Sequence, residues 1–145
     1  MTLTVLNTAA AAAHHHPIRV YYEDTDAGGI VYYANYLKFA ERARTEMLRD
    51  AGFHHTAMMA GDGIMLAVRR VAAEYFRPAK LDDALDVATT VTGMGAATID
   101  LDQSIRRDAQ ELCRVQVTIA CVARDGRPVR LPANLRATLS PIIPS

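Results

Sequence analysis

Asn35-Tyr36-Leu37-Lys38-Phe39-Ala40-Glu41-Arg42-Ala43-Arg44-Thr45-Glu46-Met47-Leu48-Arg49-Asp50-Ala51-Gly52 is the stretch that decides the fold. Tyr36, Phe39, Ala40, Ala43, Met47 and Ala51 recur at helical spacing, while Glu41, Arg42, Arg49 and Asp50 fall mostly on the other side. Asn35 is placed to cap the first turn with its side chain, and Gly52 to stop the last. The spacing predicts a single helix of about 16 residues with one apolar stripe. Something else in the chain must cover that stripe.

Outward from the helix the pattern changes period. Upstream, Ile18, Val20 and Tyr22 alternate with Arg19 and Tyr21, a short strand that starts after Pro17. Downstream, the Met-, Gly- and His-rich stretch 54–63 reads as a loop, and 64–75 as a long strand ended near Pro78. Leu85, Val87, Thr89 and Val91 alternate with Asp86, Ala88, Thr90 and Thr92; residues 98–106 alternate again. Cys113, Val115, Val117, Ile119 and Cys121 alternate with Arg114, Gln116, Thr118 and Ala120. Gly93-Met94-Gly95 and Asp125-Gly126 are turn signals, and 129–131 reads as a short last strand or an extended end. The order is strand, helix, then about four strands in succession, which implies an antiparallel sheet and an α+β domain in two layers.

The chain has 145 residues, enough for one domain with a core. Lys plus Arg and Asp plus Glu each number 16, so no global field draws it to nucleic acid or to an anionic membrane. A near-neutral chain is prone to self-association, which hints at an oligomer. Cys113 and Cys121 lie eight residues apart on one strand, about 26 Å, too far to bridge. Unpaired thiols point to a reducing cytoplasm. No run reaches the roughly 18 apolar residues of a membrane span. Residues 1–16, with Ala9–Ala13 and His14-His15-His16, lack the basic and apolar regions of a signal peptide and read as a disordered or fraying tail.

Several chemistries are excluded. Ser104, Ser140 and Ser145 are the only serines, and none sits in a nucleophile elbow. The cysteines lie in mid-strand, no His/Cys spacing suits zinc, and no Gly-rich loop has phosphate-binding spacing. What remains is Glu23-Asp24-Thr25-Asp26-Ala27-Gly28-Gly29, directly before Ile30-Val31-Tyr32-Tyr33 and the helix. Composition alone allows an acidic turn whose Asp side chains bond their own backbone. A calcium loop fails on ligand spacing. The alternative is functional: a carboxylate can attack a carbonyl or activate water, and a helix start presents free N–H groups to a developing oxyanion.

Residues 22–36, continuing through Glu41-Arg42-Ala43-Arg44-Thr45-Glu46-Met47-Leu48, closely resemble the 4-hydroxybenzoyl-CoA thioesterase family of hotdog-fold proteins. Within it they are most similar to the Tol–Pal-associated acyl-CoA thioesterases. The likeness extends through Val68-Arg69-Arg70 and 74–83, and more loosely to about Leu135. It implies a long central helix wrapped by a five-stranded antiparallel sheet, a hotdog thioesterase domain over 17–140, and a homodimer or a tetramer of paired dimers. It implies hydrolysis of an acyl-CoA or acyl-carrier thioester, with no organic cofactor and no metal. Asp26 matches the family's catalytic carboxylate, and the backbone N–H near Tyr33 its oxyanion donor. Tol–Pal relatives usually carry His where this chain has Tyr33; aryl-CoA relatives also carry Tyr, so the acyl class stays open.

Other residues keep plainer expectations. Asp24 shapes the turn; Glu41 and Arg44 belong to a charge network on the helix surface or an interface; His54 and His55 end the helix in solvent, one of them near a pocket mouth. Arg69, Arg70, Arg77 and Lys80 are candidates for CoA phosphates. The rival to hydrolysis is a hotdog module that only binds acyl-CoA, for which Asp26 has no evident use. A dehydratase would want a His beside an acid, and none occurs in this segment.

Overall fold

The computed structural model describes residues 13–140. The elements run β1 (His14–Arg19), α1 (Asn35–Asp50), α2 (His55–Gly61), β2 (Ile64–Tyr75), β3 (Ala84–Met94), β4 (Thr98–Arg107), β5 (Gln110–Ala123) and α3 (Ala133–Leu139). The strands form one antiparallel five-stranded sheet in the order β1-β3-β4-β5-β2. The expected α+β architecture is present, and α1 has the 16 residues its periodicity suggested.

Strand alternation puts one set of side chains on the helix side of the sheet. Leu85, Val87 and Val91 of β3, Ile99, Leu101 and Ile105 of β4, and Val115, Val117 and Ile119 of β5 are buried there. The α1 stripe packs against them in two clusters. Tyr36, Phe39, Ala40 and Ala43 meet Val20, Val87, Ile105 and Val115. Met47 and Leu48 meet Val91, Ile99 and Leu101, with Leu135 and Leu139 of α3. Burial on this scale, at roughly 25 cal/mol per Å² of apolar surface, holds the layers together.

The two clusters are separated by a polar belt. Arg44 is 9% exposed, and its Nη1 donates to Gln103 Oε1 at 2.9 Å. Gln103 Nε2 in turn donates to Ala40 O at 2.9 Å and Thr89 Oγ1 at 3.0 Å. Arg44 is therefore no helix-surface residue, as its charge suggested; its side chain runs inward beneath the helix.

Four further expectations need correcting. The sheet begins at His14, so the three histidines assigned to the tail form half of β1. His14 pairs with Thr89, and the His14 and His15 rings bond Asp50 and Asp86, each at 2.7 Å. The rest of that tail lies outside the described residues. β1 ends at Arg19, and Tyr22–Asp24 form a single 3-10 turn. Asn35 is not the cap: it is the first helical residue, and its side chain is used elsewhere. The stretch 54–63 contains α2. Residues 129–131 form the extended end, one of their two readings, tied by Val129 N–H to Cys121 O at 2.9 Å and followed by α3.

Cys113 and Cys121 are free and buried; burial pushes the Cys113 thiol up to about 12. Among the described residues, no helix is long and apolar enough to cross a membrane.

Phe39 is completely buried between helix and sheet. Phe39→Ala is expected to lower stability by about 3–5 kcal/mol, read as a shift of the urea midpoint with an unchanged slope.

Candidate active site

The acidic segment is a tight hairpin sewn to the start of α1. Thr25 bridges to Val31, and Asp26 N–H donates to Ile30 O at 2.9 Å. Gly29 turns the tip with φ +81°, a conformation that glycine adopts without strain.

Asp24 is the inner acid. It is 8% exposed, and its Oδ2 accepts from Tyr21 N–H at 2.8 Å. Its carbonyl takes two donors, Tyr32 N–H at 3.0 Å and Asn35 Nδ2 at 2.8 Å. Asp24 thus spends one carboxylate oxygen and its carbonyl on the geometry of the turn, which agrees with its expected turn-shaping role. Asn35 has the same duty from the helix side.

Asp26 is the outer acid and is exposed. Its Oδ1 accepts from Gly28 N–H at 2.8 Å, an Asx turn that fixes the carboxylate. Among the described residues, Oδ2 has no protein partner. A Cβ at Gly28 would lie 3.2 Å from Oδ1, so the glycine also makes room for the acid. The carboxylate opens onto a cleft of about 490 Å³ lined also by Tyr22, Thr25 and Leu81.

Past the hairpin the chain enters α1 through Tyr32, Tyr33 and Ala34. Tyr32 N–H is occupied by Asp24, and Asn35 N–H donates to Tyr32 O at 2.8 Å. The N–H groups of Tyr33 and Ala34 have no protein acceptor among the described residues. They lie at the positive end of a 16-residue helix. The Tyr33 ring is 62% exposed and packs edge-on to Tyr75 of β2, centroids 6.1 Å apart. Tyr33 does not line the Asp26 cleft. The single chain therefore holds the acid and the free amides in one rigid hairpin-helix unit without enclosing them in one cavity.

A second contact sets the height of this unit. Val31 N–H donates to Ala79 O at 2.9 Å, and Ala79 N–H donates to the Tyr36 hydroxyl at 3.0 Å. Tyr36 is 3% exposed, and its burial raises the phenol above the ordinary value in spite of the Ala79 N–H. Residue type alone gave no sign of this link, because its partner lies 43 positions away. Lys80 follows, bridging to Ile30 beside the hairpin, whereas Arg70 lies on the opposite sheet face with Asp100 and Asp102. His54 Nδ1 approaches Arg49 Nη1 at 3.4 Å, and His55 lines a cleft with Arg44 and Glu41.

A five-stranded sheet bearing one long helix, with an acid-glycine hairpin at the helix start, defines the hotdog class of thioester-handling domains. Residues 20–139 match the model of the thioesterase-like superfamily, and the chain belongs to that family. The acyl-CoA thioester hydrolase YbgC of Escherichia coli is 45% identical over 123 residues, covering 83% of this chain and 91% of the relative. Acyl-CoA thioesterase YbgC of Haemophilus influenzae is 43% identical over 122 residues, covering 83% and 90%. The crystal structure of a probable thioesterase from Bartonella henselae superposes with TM-score 0.81 at 37% identity, covering 83% of this chain and 99% of that one. A Synechocystis 1,4-dihydroxy-2-naphthoyl-CoA thioesterase superposes with TM-score 0.83, covering 88% and 96%; at 24% identity it speaks for the fold alone.

Tyr36→Phe keeps the ring and leaves the Ala79 N–H buried without an acceptor. It is expected to cost about 1–3 kcal/mol, measured by thermal or urea unfolding.

Proposed function

We propose that this protein is an acyl-CoA thioesterase that hydrolyses its substrate to a free carboxylic acid and CoA. One observation carries the reading: Asp26, whose Oδ2 has no protein partner among the described residues, sits on a hairpin leading into a helix start whose Tyr33 and Ala34 N–H groups have no acceptor among those residues. The relatives named for acyl-CoA hydrolysis supply the substrate class.

The chemistry follows from the parts. The thioester carbonyl oxygen accepts from the Tyr33 N–H, where the helix dipole favours the negative charge that develops on attack. Asp26 either attacks the carbonyl carbon, forming an anhydride that water then opens, or takes a proton from the attacking water. In both routes the C–S bond breaks and CoA leaves as a thiolate that is then protonated.

The working form is a homodimer built on the free edge of β2, with a dimer of dimers as its extension. β2 ends the sheet, is 12 residues long and exposes Met65, Val68, Val71 and Tyr75. A long apolar edge of this kind is normally paired or covered. A second copy there lies next to Tyr33, through Tyr75, and supplies the wall that the single chain lacks. Two buried free thiols suit a reducing cytoplasm.

Asp26→Asn and Asp26→Ala are expected to lower kcat by at least about 100-fold with unchanged melting temperature. Wild-type turnover in either variant, across short, long and aromatic acyl-CoAs, would remove Asp26 from the chemistry. Light scattering is expected to give at least twice the 15.8 kDa of one chain; a single-chain mass at assay concentration would rule out the β2 interface.

A further inference from the structure

The polar belt beneath α1 does not end inside the core. Arg44 also lines a cleft of about 250 Å³ that opens between α1, α2 and β2, together with Glu41, Thr45, His55 and Val68. Its guanidinium is anchored from the core side only. Nη1 meets a neutral amide oxygen, Gln103 Oε1, and among the described residues no carboxylate lies within ion-pair range. Burial lowers the Arg44 pKa, with Glu41 acting in the opposite direction from the cleft mouth. The Nε and Nη2 donors have no protein acceptor among the described residues. These donors are not sealed in the core but reach the cleft, where a guanidinium fixed by Gln103 offers a carboxylate a bidentate seat.

The cleft is connected to the reaction site. β2 pairs with β5 so that Val68 faces Ile119, Val71 faces Val117 and Tyr75 faces Cys113, all on the helix side of the sheet. These three side chains are nevertheless 51%, 44% and 46% exposed, because β2 packs on β5 and α2 and leaves its flank towards α1 uncovered. They form an apolar strip. One end is Val68, in the wall of the Arg44 cleft; the other is Tyr75, in contact with the Tyr33 ring. The strip follows α1 from the free amides towards Arg44. Nine residues of helix between Asn35 and Arg44 rise about 13 Å. An extended chain advances about 1.2 Å per bond, so the path matches roughly ten bonds.

We propose that Arg44, held by Gln103, is the residue that selects the acyl group, and that the preferred substrate is the CoA half-thioester of a medium-chain dicarboxylic acid, its free carboxylate seated on Arg44. This rests on the thioesterase reading above and adds the identity of the acyl end. The apolar strip takes the methylene chain. Arg44 takes the distal carboxylate through the donors that Gln103 leaves unused. Glu41 lines the same cleft and is exposed at its mouth, so a bound carboxylate shares the Arg44 field with it.

The test compares two CoA thioesters of equal length, octanoyl-CoA and the CoA half-thioester of octanedioic acid. Hydrolysis is followed on the wild-type protein, and equilibrium binding on Asp26→Ala by calorimetry. The dicarboxylic substrate is expected to have kcat/KM and affinity at least about tenfold higher, the scale of one charge-assisted contact. Arg44→Met is expected to abolish that preference while octanoyl-CoA is still turned over. If Arg44→Met does not fold, Arg44→Lys serves, with the preference reduced at least threefold because the fork is lost. Equal binding of the two ligands, or a preference that survives at position 44 in the variants, would overturn the assignment. Preferential binding without any hydrolysis would support Arg44 and sink the thioesterase reading instead.

Discussion

The carbonyl oxygen of Asp24 is the point from which the front of this molecule is organised. It holds Tyr32 N–H and the Asn35 side chain at once, so the hairpin and the first turn of α1 cannot move independently. By occupying Tyr32 N–H it also leaves the following two amides as the first unspent donors. A helix always begins with such donors; what is particular here is that the hairpin satisfies the ones before them and stops. The acid that does the holding and the acid that is free are two residues apart, and their division of labour is a matter of direction. Asp24 points into the turn, whereas Asp26 points out to the cleft.

Behind this front, the helix-sheet interface has a polar seam across an otherwise apolar layer. Gln103 is completely buried and uses both ends of its amide, so the seam costs little as hydrogen bonds go. The charge on Arg44 is a different matter. A residue of similar shape without charge would pack there at lower cost. Keeping a guanidinium under the helix is intelligible if the cleft side of it has work to do. The same view gives the apolar strip on β2 a use on its helix side, in the space that the second copy walls off.

How much of this could be read in advance follows from the range of each interaction. The helix and the four downstream strands were legible because amphipathic period is a local signal, and both Gly52 and Asp125-Gly126 stand where the chain turns. The chemistry of the hairpin was legible only as residue types. Resemblance favoured Asp26 over Asp24, and the bonds now give a reason for the distinction. Arg44 was misread because its amide partner is 59 residues distant, and a charged residue at the margin of an apolar stripe looks like a surface residue. β1 began early because backbone pairing to β3 carries no side-chain signature, and three histidines resemble a tail more than an edge strand. α3 escaped notice because seven residues with two buried leucines are too few to show a period.

The irregularity in β2 has a consequence for how the sheet assembles. Between Val68 and Arg70 the ladder to β5 skips a residue, so Arg69 is supernumerary and the strand resumes with Arg70 opposite Thr118. Without that skip every later side chain would change face, turning Arg70, Ala72 and Glu74 towards the helix and Val71, Ala73 and Tyr75 away from it. A sheet that zipped straight through would therefore interrupt the apolar strip beside α1 with a guanidinium and a carboxylate in place of a valine and a tyrosine. The skipped residue is thus what keeps Val68, Val71 and Tyr75 in one row along the same face of the strand.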